Sequence, residues 1–302
     1  MAVNAIVTMP PYAPYIGEVL RHPVVSGIRL NTVMPVKESL EDVLKHLSDD
    51  AAKYGKELWV DLKARQLRVA TYAVPPFTEI ELSHKIYAEA GAKAYFSDGK
   101  ESATIAAVNG NRLIMLEGPK RVVGPGEAVN IPHHSLQIDG YLTNTDKNYI
   151  EAALKIGLHN YMLSFVEGKG DVEALKEVDS KATIIAKIES RKGLGYVAEE
   201  WNGEARLMAA RGDLYIELQM PHHIIPALER IIAKDKAAIA ASRIFPSLAY
   251  SLEPASQDIG DADNLLRMGY RTLMFGDDVC MQRDSIISGL NLLRAIAEKY
   301  EG

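Results

Sequence analysis

The stretch Thr183-Ile184-Ile185-Ala186-Lys187-Ile188-Glu189-Ser190 decides how the chain is read. An apolar run ends abruptly in a lysine and a glutamate two residues apart. A parallel strand covered on both faces is near-continuously apolar. Charge at its C-terminal end falls where parallel α/β sheets and barrels keep their sites. Side chains repeat every two residues along a strand, so Lys187 and Glu189 share a face. A second run, Arg206-Leu207-Met208-Ala209-Ala210-Arg211, ends in Gly212-Asp213, which places Asp213 at the end of the next strand. Two carboxylates from neighbouring strands beside one ammonium predict a divalent metal site, with positive charge aimed at the same substrate.

Outward from there, apolar runs alternate with helical spacing. Ala5–Met9, Val24–Asn31 and Glu57–Lys63 read as three strands, with Leu40, Val43, Leu44 and Leu47 at helical spacing within Lys37–Tyr54. From Val69 to Leu142 turn signals crowd together: Pro75-Pro76, Ser97-Asp98-Gly99, Asn109-Gly110-Asn111 and Gly124-Pro125-Gly126. Short β-type runs lie between them, and Asn109-Gly110 predicts a hairpin. Thr143 and Asp146 form a capping box opening a helix to Lys155. Strands then follow at Asn160–Phe165, Thr183–Glu189, Arg206–Arg211, Ala237–Ser242 and Arg271–Gly276, with helices Ile224–Lys234, Asp258–Met268 and Asp284–Tyr300. The count is eight strands, which predicts an α/β fold of the (β/α)8 TIM barrel class, residues 1–68 and 141–302. A small all-β insertion, residues 69–140, follows strand three.

Composition excludes several classes. At 302 residues, 47% hydrophobic and 25% charged, the chain is of ordinary globular make-up. A net charge of −6 argues against nucleic acid as a partner. A single cysteine, Cys280, rules out a disulfide framework and suits a reducing compartment. No run approaches the roughly 18 apolar residues of a membrane helix, and the N-terminus lacks a signal-peptide pattern. A cytoplasmic protein with no membrane partner is expected.

Through Ser164-Phe165-Val166, Ile184–Ser190 and Ala210-Arg211-Gly212-Asp213-Leu214 the chain resembles the pyruvate kinase family. Ile28-Arg29-Leu30-Asn31, Asp61-Leu62-Lys63 to Arg68, and Val129-Asn130-Ile131-Pro132 continue the resemblance in order, as do Ser242, Asp258, Asp261 and Asn264. The resemblance covers the family's barrel and a shortened B domain. The sequence stops after the eighth strand and its helix, so the family's C-terminal regulatory domain, its tetramer and its sugar-phosphate control are not expected. A homo-oligomer of another kind stays open.

The resemblance implies a place in glycolysis and roles for individual residues. Glu189 and Asp213 would be the ligands of Mg²⁺ (or Mn²⁺), with phosphoenolpyruvate or pyruvate as the substrate and ADP or ATP as its partner. Lys187 would stabilise the phosphoryl group in flight and the enolate left behind. Gly212 would offer backbone N–H groups to the substrate carboxylate. Ser242 stands where the family has a threonine that assists the proton step. Arg29 and Arg68 would bind phosphate. Asn31 and Asp61 would belong to a monovalent-cation shell, but Val33 removes a hydroxyl from it, so K⁺ dependence is not expected. Arg211 would organise the carboxylates.

Several family positions are altered, and Met34 and Glu127 are those on the nucleotide side. Val33 and Met34 replace a serine and a histidine, and Gly126-Glu127 replaces a phosphate-contacting lysine before Val-Asn-Leu-Pro. The leading expectation is a phosphotransferase making pyruvate and ATP from phosphoenolpyruvate and ADP. The alternatives are a metal-dependent lyase or aldolase working through a pyruvate enolate, and a non-catalytic metabolite-binding relative. His133-His134 and His222-His223 are adjacent, not at i,i+4 or i,i+2, which argues against a shared zinc. Cys280 is expected to be inert, and Tyr12 and Tyr161 to be core or interface.

Overall fold

The computed structural model describes residues 2–74 and 79–300; the Pro75-Pro76 turn signal lies outside them. Strands β1 (Asn4–Thr8), β2 (Val25–Asn31) and β3 (Glu57–Leu62) come first. Six short strands follow: β4 (Glu79–Glu81), β5 (Ile86–Tyr87), β6 (Lys93–Phe96), β7 (Glu101–Asn109), β8 (Arg112–Met115) and β9 (Gln137–Ile138). The chain then forms β10 (Asn160–Leu163), β11 (Thr183–Ile188), β12 (Arg206–Ala210), β13 (Ile239–Ala241) and β14 (Thr272–Phe275). Eight of these close into a barrel in the order β1-β14-β13-β12-β11-β10-β3-β2. Every neighbouring pair in it is parallel. The eight-strand expectation is met, and the six short strands leave the barrel after β3 and return to pair β10 with β3.

The helix Leu40–Lys53 shows how local sequence makes the outer ring. The Ser39 side chain accepts from the Asp42 N–H at 3.1 Å, which satisfies one of the orphan amides of the first turn. Val43, Leu44, Leu47 and Ala51 fall on one face and are buried against the sheet. Burying each leucine contributes roughly 1.5–3 kcal/mol. Gly55, at φ +64°, ends the helix in a conformation that a β-carbon would strain. The capping box at Thr143 and Asp146 is present as well.

Two boundaries differ from expectation. Residues 37–39 stay outside the helix because Ser39 is its cap. The run Arg206–Arg211 leaves the sheet at Ala210, and Arg211–Glu217 forms a short helix. Asp213 therefore stands in a first helical turn, not at a strand end.

The parity of the strands divides polar from apolar. Ile6, Trp59, Met162, Ile185, Met208, Ile239 and Met274 fill the barrel interior. Strand β2 contributes Gly27 at this level, and a β-carbon there would lie 3.3 Å from the Trp59 indole nitrogen. The indole occupies the space that β2 leaves empty. Two residues further along β2, β3, β10 and β11 the inward face turns polar, with Arg29, Asp61, Ser164 and Lys187 all buried, while Ala210 and Ala241 keep it apolar on β12 and β13. The outward parity stays apolar and packs under the helices.

Strands β4, β8, β7 and β6 form one antiparallel sheet, and β5 pairs with β9 in another. The expected hairpin joins β7 to β8, with Asn109 opposite Arg112 and Gly110 at φ +62°. A glycine with positive φ at the first central position is the signature of a type II′ turn. Ile80, Phe96, Ile105, Leu113 and Val129 belong to an apolar cluster separate from that of the barrel.

Candidate active site

The inward parity at the C-terminal ends of β2, β3, β10 and β11 converges on Asp61. Its carboxylate accepts from Arg29 Nε at 2.9 Å, from Lys63 Nζ at 2.6 Å and from Lys187 Nζ at 3.3 Å. Burial alone would raise the Asp61 carboxyl, but Arg29, Lys187 and Lys63 together hold it well below the ordinary carboxylate range. Burial pushes the Lys63 ammonium down to about 7 against the pull of Asp61, with Arg29, Arg68 and Lys187 adding repulsion. Lys63 is thus the most readily deprotonated cation of the group. Removing one partner from such a buried network costs about 3–5 kcal/mol, because the others are left uncompensated.

Lys187 also donates to Ser164 Oγ at 2.8 Å and lies 3.2 Å from Glu189 Oε1. The other Glu189 oxygen accepts from the Phe165 N–H at 2.8 Å. Phe165 has φ +48°, an unfavourable value for a bulky residue, at the end of β10. Burial pushes the Glu189 carboxyl up to about 7; Lys187 opposes the shift and the Asp213 charge reinforces it.

Of the residues predicted for the site, Arg29, Asn31, Arg68, Lys187, Glu189, Gly212, Asp213 and Ser242 line one cavity of about 280 Å³. Asp61 lies behind it, with no exposed surface. Asn31 gives its amide to Asp277 at 3.1 Å, and Arg29 donates to Thr8 Oγ1 at 2.8 Å. The Asp213 carboxylate accepts from Gln66 at 3.0 Å and from Asn130 at 3.1 Å. Arg68 donates to the Gly126 carbonyl and to Gln66, while its buried Nε has no partner. A buried guanidinium with an unused donor suits an anionic ligand.

Gly212 faces Ser242: a β-carbon on it would lie 3.5 Å from Ser242 Oγ, an ordinary contact. The fold itself therefore tolerates more than glycine here. Ser242 and Arg243 both have positive φ, and the loop is held by Arg211, which donates to the carbonyls of Ser242 and Arg243 at 2.8 Å and 3.0 Å. Arg211 pairs with Asp261 at 2.8 Å and not with Glu189 or Asp213, so it organises the loop after β13 and not the carboxylates.

The inserted segment closes one side of the cavity. It contributes Ala128 and Asp98, whose carboxyl is raised by burial and by Asp213 and Asp278, while Asn130 and Gly126 touch the lining residues Asp213 and Arg68. Glu127 is paired with Arg121, and Ser97 lies 3.5 Å from its carboxylate. Gly126 comes so close to Val33 that a β-carbon would lie 2.9 Å from Val33 Cγ1. Met34 is buried.

Sequence reading gave no role to Lys63, Gln66, Asn130, Ser164, Arg243 or Asp277, though each lines the cavity or touches a residue that does. Lys63 shares the parity of Asp61, and Asp277 follows the eighth strand, so the same strand-end rule would have found both. Gln66 and Asn130 carry no charge and lie in loops, where spacing says nothing.

Hard carboxylate oxygens at Glu189 and Asp213, with the rest of the cavity open to water and substrate, fit Mg²⁺ or Mn²⁺. The family model described as pyruvate kinase, barrel domain, matches residues 48–280. The pyruvate kinase of Borreliella burgdorferi is 24% identical over 92% of this chain and 63% of that protein. That of Thermoplasma acidophilum is 24% identical over 92% of this chain and 54% of its own length. The Mycoplasma genitalium pyruvate kinase is 27% identical over 68% of this chain and 41% of its length. The chain thus spans about two-fifths to two-thirds of the curated relatives it matches. With a closed eight-stranded barrel and a family match across most of its length, the chain belongs to the pyruvate kinase family.

Proposed function

We propose that the protein is a Mg²⁺-dependent phosphotransferase that moves the phosphoryl group between phosphoenolpyruvate and ADP, giving pyruvate and ATP. The observation that carries this reading is Lys187. Its ammonium is fixed by Asp61, Ser164 and Glu189 on the wall of a cavity that Glu189 and Asp213 also line. A cation held rigid before the reaction stabilises developing charge without reorganisation.

Glu189 and Asp213 hold the divalent ion, which when bound neutralises charge on the substrate's carboxylate and enol oxygen. Arg29 and the unused donor of Arg68 bind the phosphoryl oxygens. Lys187 stabilises the phosphoryl group as the bond from phosphorus to the enol oxygen breaks and ADP takes it up. The Gly212 N–H binds the substrate carboxylate, and Ser242 passes a proton towards the methylene carbon of the enolate. Residues 69–140 act as a cap that excludes water from the transfer. Asp61 already has three cationic side chains around it, so an inorganic cation is not needed there and K⁺ is not required.

A second reading is favoured on the nucleotide side. Glu127 stands in place of the family's phosphate-contacting lysine and is paired with Arg121, and Gly126 packs closely against Val33. Arg243, stacked 4.4 Å above the Tyr215 ring, lines the cavity and makes no ion pair among the described residues. A lyase or aldolase working through a pyruvate enolate uses such an unpaired cation for a second acidic group. ATP formation from phosphoenolpyruvate and ADP with Mg²⁺, lost in Lys187→Met, supports the kinase. Metal-dependent exchange of pyruvate methyl protons with deuterated water, with no ADP binding, replaces it with the lyase.

A further inference from the structure

The loop before β9 brings two imidazoles to a carboxylate that follows β5, a set of metal-ligand groups outside the barrel-mouth cavity. His133 and His134 follow Pro132, and the His133 N–H donates back to the Ile131 carbonyl at 2.7 Å in a tight turn. The turn defeats the alternation that would point consecutive strand residues to opposite faces. The two rings lie 4.3 Å apart, tilted by 41°. Glu89, just beyond β5, completes the set: one donor atom from each of Glu89, His133 and His134 lies within 4.8 Å of the others. His134 Nε2 and the Glu89 carboxylate are 4.0 Å apart, too far to satisfy each other directly.

A buried serine orients the cluster. Ser135 Oγ lies 2.6 Å from His133 Nδ1 and accepts the Glu89 N–H at 2.9 Å. It ties the backbone of one ligand to the ring of another, and the Ser135 N–H also points at His133 Nδ1, at 3.3 Å. In the tautomer with its proton on Nδ1, His133 donates to Ser135 Oγ, the outer-shell arrangement of a metal-binding histidine, and Nε2 is the nitrogen left for the ion. The antiparallel ladder of β5 and β9 pairs Ile86 with Ile138 and Tyr87 with Gln137, and the same register puts Glu89 opposite Ser135. An ion held here crosslinks the open end of that two-residue ladder.

We propose that Glu89, His133 and His134 form a zinc site that staples β5 to β9 at the root of the insertion, where the chain turns back to the barrel. Two imidazoles and one carboxylate with a fourth position for water suit Zn²⁺, whereas Mg²⁺ prefers oxygen ligands alone. Tetrahedral donors at about 2.0–2.1 Å from zinc stand roughly 3.3 Å apart. The exposed Glu89 and His134 side chains close that difference by changing rotamer. The adjacency of the two histidines is no obstacle, because the turn replaces the helical or extended spacing that a sequence argument assumes.

The test uses the whole chain, stripped of metal and held in excess Mg²⁺ to occupy the barrel mouth. Zn²⁺ is titrated against a chromophoric chelator, and thermal unfolding is followed in parallel. One zinc per chain is expected, with a rise in melting temperature because only the native state binds. His134→Ala and Glu89→Gln, both exposed positions, should each weaken zinc at least about tenfold, and Ser135→Ala about 10–100-fold. Asp213→Asn should leave zinc uptake intact. Zinc uptake that is unchanged in the His133→Ala/His134→Ala double variant overturns the proposal. So does uptake lost in Asp213→Asn, or no uptake at all.

Discussion

The two walls of the cavity are built by different means. The barrel wall, from β2, β3, β10 and β11, is a buried charge network in which Asp61, Arg29, Lys63, Lys187 and Ser164 fix one another. The inserted segment lines the other side with Asp98 and Ala128, next to a part-exposed ion pair of Arg121 with Glu127 and a glycine packed against Val33. Strand parity dictates the first wall, since one register slip would turn every charge outward. Loops dictate the second, and loops tolerate change. The difference teaches that a wall of buried strand ends can be rigidly specified while a facing wall built of loops is free to change.

The comparison is broken most severely at Lys187. Lys187→Met should lower kcat for ATP formation by about 10²–10³, with the circular dichroism spectrum unchanged. A drop below that range would mean the barrel wall does not carry the chemistry.

The next effect is in pH. Glu189 must lose its proton to hold a cation, so Mg²⁺ affinity should rise as pH approaches about 7 and level off above it. Without metal the same group acts in the opposite sense. Its folded value lies above the ordinary 4.5, so the native state holds the proton more tightly than the unfolded chain. That contribution is fully present below about 4.5 and is lost as pH rises to about 7. Lys63, depressed to about 7, contributes a rising slope only between there and its ordinary 10.5, whereas Glu217, pushed up to about 8 by burial, falls in the same lower window, so the share of Glu189 is the part of the slope that Glu189→Gln removes. Calorimetry of the metal-free protein at pH 5 and pH 7 reads the slope; a flat profile would put Glu189 in a solvated setting.

Smaller effects sharpen the contrast. Replacing K⁺ with a bulky organic cation should leave the rate unchanged, because side-chain cations already surround Asp61. Potassium activation in a coupled assay would place an ion in that shell. Glu127→Lys should lower the KM for ADP by only about two- to five-fold, the scale of a partly exposed ion pair. No change would remove Glu127 from the nucleotide side.

The barrel and its charged strand ends were legible because periodicity and burial are written locally: Lys187 and Glu189 reveal their shared face by spacing alone. Asp213 was found by motif but misplaced, since Arg211-Gly212 starts a helix where the apolar run suggested a strand. The partners of Asp213, Gln66 and Asn130, come from loops more than 80 residues away and were not legible. Arg211 was assigned to the carboxylates, yet its fork went to the carbonyls after β13 and to Asp261, which the chain order does not reveal. The turn at Pro132 likewise brings His133 and His134 to Glu89, a juxtaposition that their adjacency in the chain does not reveal.

The most direct test of the central claim is a crystal structure with Mn²⁺ and oxalate, a mimic of the enolpyruvate. The account predicts one ion bridging Glu189 and Asp213, with oxalate beside Gly212 and Lys187. An ion bound elsewhere, or none between those carboxylates, would contradict it.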